Sequence, residues 1–209
     1  MRRSWVVLAT LSLIMAAGSA SPAAAAGSRL SIGLGQGSAD GYSAITVGAA
    51  DYLAPTTAPE TNAGVEYWYS FRDDYAIALS GAYGFSSMKW SGATAGDPEI
   101  KATGTSVKVR VGGDRLGKVG ERLVVFMGPG IEYWTGKQKL QVGGTGSDSK
   151  SVNRYGVSGR IGGFMVLTDK VGIMGQVGHT FGLASVKDGA KTTWMPSSFN
   201  ASWGLTFGF

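Results

Sequence analysis

The chain has a single histidine, His179, within Gly178-His179-Thr180-Phe181. Catalysis by that ring needs a nucleophile or a carboxylate to work with, and a metal needs several ligands. The chain has no cysteine, no carboxylates gather around His179 in sequence, and no Gly-x-Ser-x-Gly elbow occurs. His179 therefore reads as an amphipathic ring near a membrane interface, on the same face of a strand as apolar neighbours. The glycine-rich pieces Gly33-Leu34-Gly35-Gln36-Gly37 and Gly143-Gly144-Thr145-Gly146 do not lie between a strand and a helix, so neither is a nucleotide loop. No cofactor is expected.

Six charges carry more information. Glu66, Lys108, Arg110, Glu132, Arg154 and Arg160 each stand between residues of an alternating pattern, such as Val107-Lys108-Val109-Arg110-Val111. Alternation puts them on the face opposite the large apolar side chains. In a narrow enclosed space a lone charge is costly unless it is paired. Two roles follow from that placement, a paired polar filling or a narrow gated ion path. Glu66 and Arg160 are expected to bridge the space, and Glu132 and Arg154 to pair across adjacent strands.

The elements that must position these groups are strands, because no helical period is sustained. Eight stretches fit, near 29–37, 62–72, 75–85, 100–112, 121–134, 152–167, 171–183 and 199–209. In the third, Tyr75, Ile77, Leu79, Tyr83 and Phe85 take one face, and Ala76, Ala78, Ser80, Ala82 and Gly84 take the other. Small residues cannot fill a soluble core, whereas they suit the lumen of a narrow barrel whose large face meets lipid. Short turns at 73–74, 113–120 and 168–170 fall on one side. Longer connections at 38–61, 86–99, 135–151 and 184–198 fall on the other, as in outer-membrane barrels. Ile45 and Val47 suggest a short extra strand in the first long connection. Pro129 suggests a bulge or a weak edge in the fifth strand.

The last strand is the clearest. Trp203, Leu205, Phe207 and Phe209 alternate with Ser202, Gly204, Thr206 and Gly208. At the other end, Arg2 and Arg3, an apolar run from Trp5 to Ala17 and small residues to Ala26 have the order of a secretory signal peptide, with cleavage expected before Gly27 and Gly18-Ser19-Ala20 as a second possible site. The expected organisation is thus a signal peptide at 1–26 and one all-β domain at 27–209, an eight-stranded antiparallel transmembrane β-barrel. Its 34 glycines suit crowded interiors and tight turns. Lys and Arg exceed Asp and Glu by only five, too few to argue for nucleic acid.

The whole mature chain resembles the small eight-stranded bacterial outer-membrane barrels of the OmpX and OmpA-barrel type, most specifically in its C-terminal strand. That resemblance implies that Trp203, Leu205, Phe207 and Phe209 are the signal for the barrel-assembly machinery. It implies a non-enzymatic structural or surface-interaction protein of the outer membrane. The second hypothesis is a narrow pore or an OmpW-like transporter of small or apolar solutes, which a gap near Gly128-Pro129-Gly130 would favour. The eight-stranded lipid A deacylases are a poor match, because the position of their serine, two after the histidine, is Phe181 here. In the long connections, Lys137, Lys139, Lys150, Lys187 and Lys191 are expected either to form a solvated surface or to pair with phosphates of the outer-leaflet lipid and lipopolysaccharide. Tyr42, Tyr52, Trp90 and Trp194 suggest contact with a partner or with headgroups.

Overall fold

The computed structural model describes residues 27–40, 45–47, 50–52, 57–90, 99–146, 150–187, 190–192 and 197–208. Eight long strands run in an antiparallel meander: β1 Ser28–Asp40, β2 Thr57–Arg72, β3 Tyr75–Trp90, β4 Ile100–Val119, β5 Leu123–Val142, β6 Lys150–Val166, β7 Val171–Lys187 and β8 Ser197–Gly208. Each pairs with its neighbours, and β8 pairs with β1 through Ile32 opposite Leu205 and Leu34 opposite Trp203. The sheet is therefore a closed barrel with no free edge along its wall, which satisfies the backbone without water. Ile45–Val47 and Ala50–Tyr52 form the extra hairpin, and Thr145–Gly146 and Ala190–Thr192 add short pairings.

The face assignment follows the alternation. Ile32, Leu34, Tyr83, Phe85, Ile131, Phe181 and Leu205 all lie exposed on the outer wall, and Trp203 retains 65% of its surface. Outward aromatics group near the two ends. Tyr69, Phe71 and Tyr75 lie by the short turns, and Tyr133 and Tyr155 lie toward the other end with ring centroids 5.1 Å apart. Such girdles mark the two interfaces of a lipid-facing band.

Three expectations change. The turn expected at 113–120 is a strand, since β4 continues to Val119 and the turn is 120–122, with Gly120 at φ +68°. Glycines and charges there resemble turn chemistry, yet Asp114 and Leu116 point inward, and Leu116 pairs with Phe126. Parts of the expected long connections are strand too, since β2 already begins at Thr57, β3 runs to Trp90 and β5 runs on to Val142. Pro129 produces no bulge. The β4–β5 register is the same before and after Gly113-Asp114 and Gly128-Pro129, where the ladder is interrupted. Proline has no N–H to donate, so the pairing weakens locally without slipping. Register shifts occur instead at Ser70/Arg72 and Gly182/Ala184.

The lumen is filled. Toward the short turns lies an apolar plug of Trp68, Phe126, Phe164 and Met174, with Ala78 and the partly buried Leu116, Val124 and Val166. Trp68 and Phe126 meet edge to face at 4.7 Å. Parity alone marks these four large residues as inward, so the lumen is not lined by small residues throughout.

Candidate functional site

The charged centre rests directly on that plug. Arg160 on β6 is its hub. Its guanidinium makes a two-point ion pair with Asp114 on β4, Nε donating to Oδ1 at 3.1 Å and Nη2 meeting Oδ2. Nη1 pairs with Glu66 on β2 and donates to Gln176 Oε1 at 3.0 Å, and Gln176 Nε2 donates to Glu66 Oε2 at 3.2 Å. The expected Glu66–Arg160 bridge across the lumen is present. The planar fork of arginine suits two carboxylates at once, and its Cζ lies 5.2 Å and 5.4 Å from the Phe126 and Trp68 ring centroids.

Arg110 lies beside this hub. Its Nε donates to Ser158 Oγ at 2.9 Å, and its Nη2 is 3.9 Å from Asp114 Oδ1. Gly112 and Gly130 make its bed, for a Cβ at Gly130 would meet the guanidinium at 2.7 Å. A Cβ at Gly128 would collide with Gly113 and Asp114. The region of Gly128-Pro129-Gly130 is therefore packed tightly, and the gap that would favour lateral solute exit is not found there.

A second tier lies toward the long connections. Lys108 Nζ is 3.1 Å from Glu60, which also accepts from Ser106 Oγ at 2.8 Å, and Glu132 accepts from Thr180 Oγ1 at 3.2 Å. The register of the expected cross-strand pair Glu132 and Arg154 is diagonal rather than direct. Register sets Glu132 opposite Gly156 and Arg154 opposite Trp134, so the two are diagonal. Arg154 stacks over the Trp134 ring at 4.6 Å. A cavity of about 100 Å³ adjoins the hub, with Asn62, Lys108, Gln176 and Ser202 in its lining. That is room for a few waters rather than a solute path.

All six sequence-predicted charges face inward. Sequence reasoning missed Asp114, placed in a turn, together with Glu60 and Gln176. For Glu60 and Gln176 parity was the available signal. Asp114 is wholly buried.

Outside the lumen, His179 faces outward on β7, edge-on to Phe181 at 4.5 Å. Among the described residues no group of three or more His, Cys, Asp or Glu could hold a metal. Trp203 and Leu205 face outward as expected, Phe207 is half-buried, and Phe209 lies outside the described residues. Lys137, Lys139, Lys150 and Lys187 sit on strands rather than in loops. Lys137 and Lys139 pair with Thr105 and Thr103, Lys150 with Gln138, Lys187 with Val152, and Lys191 with Val186. Tyr52 ends the small hairpin and Trp90 pairs with Ile100, while Tyr42 and Trp194 lie outside the described residues.

No protein-family model matches the chain, and no curated protein matches it. Solved structures do. Ail, the attachment invasion locus protein of Yersinia pestis, is 15% identical with a TM-score of 0.51, covering 89% of this chain and all of its own. The same protein bound to the heparin analogue sucrose octasulfate is 16% identical with a TM-score of 0.52 and the same coverage. Neisserial surface protein A is 11% identical with a TM-score of 0.49, over 87% of this chain and 97% of its own. Ail is an outer membrane protein. The likeness is one of fold: the chain has the architecture of the small eight-stranded transmembrane barrels of the outer membrane.

Proposed function

We propose that the protein is a non-enzymatic outer-membrane barrel that works through its outward-facing surface rather than through its lumen. The observation that carries this reading is the filled interior. Across the barrel, the Trp68–Phe126–Phe164–Met174 plug lies in series with the Arg160–Glu66–Asp114 lattice. Eight strands enclose only enough space for side chains, and here the side chains occupy it. The wall has what the lumen lacks. A bilayer is crossed by about 9–11 tilted residues, whereas β4 and β5 have 20 each, so they project well beyond the band. That projection, with the connections at its rim, is a surface for partners. Lys137, Lys139, Lys150, Lys187 and Lys191 lie toward that end and suit contact with lipopolysaccharide phosphates. The outward face of β8 is the proposed contact for the barrel-assembly machinery.

Planar-bilayer recording on the refolded full chain tests the plugged lumen. The wild type is expected to give no discrete conductance steps, and the Trp68→Ala/Phe126→Ala variant, which opens the plug but keeps the Arg160–Glu66–Asp114 lattice in series with it, is expected to give none either. Regular steps from the wild type would replace this reading with a narrow pore.

A further inference from the structure

On the outer wall, the lipid-facing side of the barrel carries a groove of about 620 Å³. Its walls are Ile32, Leu34, Tyr83, Val107 and Trp203, and the small outward residues Ala63 and Gly81 form its floor. Adjacent strands place this floor in register. Leu34 lies opposite Ala63, Ala63 opposite Tyr83, and Tyr83 opposite Val107, while Val65 faces Gly81. Two small residues among large ones leave a trough in an otherwise bulky belt.

Where this trough runs toward the projecting end of β3, β4 and β5, the outward positions change from apolar to cationic. On β4 the outward series from the trough is Val107, Thr105, Thr103 and Lys101, and on β5 it is Thr135, Lys137 and Lys139. Thr135 pairs with Val107, so Lys137 lies diagonally beside the edge of the trough. Lys101 pairs with Lys89, whose ammonium is held by Glu99 at 3.2 Å. Among the described residues no carboxylate pairs with Lys101, Lys137 or Lys139. Three ammonium groups with no carboxylate partner among the described residues thus stand on neighbouring strands beyond the apolar trough, Lys137 nearest its edge and Lys139 and Lys101 successively further along the wall.

We infer that this face is a binding site for one phosphorylated, acylated lipid of the outer leaflet, with acyl chains in the Ala63–Gly81 trough and phosphate on Lys101, Lys137 and Lys139. The inference rests on the outward-surface reading above. It goes further in naming a two-part site and in separating these three lysines from Lys150, Lys187 and Lys191. Lysine binds phosphate as a point charge, and a weakly solvated interface strengthens each contact. The trough supplies the apolar contact that a free phosphate lacks, so the chemistry selects an amphiphile.

Native mass spectrometry of the full chain, refolded in detergent, tests this with three probes: bisphosphorylated lipid A, the same lipid dephosphorylated, and inorganic phosphate. The wild type is expected to retain one bisphosphorylated lipid, to bind the dephosphorylated form about tenfold more weakly, and to keep its lipid against excess inorganic phosphate. The Lys101→Gln/Lys137→Gln/Lys139→Gln variant and the trough-filling Ala63→Phe variant are each expected to lose retention by about tenfold or more. Undiminished retention by either variant overturns the site, as does displacement by inorganic phosphate alone. A gel shift between unboiled and boiled samples, run on every protein, separates the two failures. A wild type that lacks the shift refutes the barrel reading, and a shifted wild type that retains no lipid refutes only the site.

Discussion

Arg160 shows how one side chain can organise the interior of a barrel. It satisfies Glu66 and Asp114 together, and both carboxylates are buried with nothing else of opposite charge as close. Removing it leaves two buried anions, a far larger cost than the net worth of the intact pairs. Arg160→Met is therefore expected to lower the unfolding free energy by about 3–5 kcal/mol in urea titrations of the barrel in lipid vesicles. Arg160→Lys should fall between the two, since an ammonium cannot reach both carboxylates with a planar fork. Arg160→Met with wild-type stability would show that the lattice is incidental. The triple variant Arg160→Met/Glu66→Gln/Asp114→Asn removes charge and partners together and should recover much of the loss. At this scale the sequence was legible by parity. Glu66 and Arg160 were identifiable as inward, and so as partners, from alternation alone. Asp114 was hidden because Gly113 before it and Gly117 and Gly120 after it have the composition of a turn.

Among the elements, β4 and β8 illustrate opposite cases. The end of β4 reads as polar and glycine-rich, and only its pairing with β5, Leu116 opposite Phe126 and Val119 opposite Leu123, makes it a strand. Tertiary pairing overrides local composition there, because β5 supplies the ladder partners that carry β4 on beyond Arg115, where its pairing with β3 stops. β8 needs no such help. Its outward Trp203 and Leu205 and its inward Gly204 and Thr206 fall as alternation requires, and Thr206 is fully buried. The lipid-facing role of β8 is testable at one position. Leu205→Arg puts a charge on the outer face and is expected to cost about 2–4 kcal/mol of stability in vesicles if that face lies near the bilayer midplane. Leu205→Phe should leave it nearly unchanged. Equal stability of all three would mean that this face does not meet lipid.

At the scale of the whole molecule the decisive feature is closure, the pairing of β1 with β8 from Arg29 opposite Gly208 to Ala39 opposite Ser198. A closed wall has no edge from which detergent can unzip it. The unboiled protein is expected to stay folded in sodium dodecyl sulfate and to migrate apart from the boiled form on a gel. A single position before and after boiling would argue against closure. The filled lumen belongs to this scale as well, since plug and lattice exist only when strands far apart in sequence face one another, as Trp68 meets Phe126 and Phe164.

By itself the sequence determined the strand count, the two faces of each strand, the side on which short turns fall, and the inward direction of six charges. Each of these is a local consequence of period-two geometry and turn chemistry, readable from neighbours along the chain. Only the tertiary structure decided that β4 runs on through Asp114, and that Glu132 and Arg154 are diagonal rather than opposite. It also decided that four large residues close one end of the lumen and that Ala63 and Gly81 join into a trough beside Lys137. Those depend on register between strands, and a shift of one residue would have rearranged every one of them.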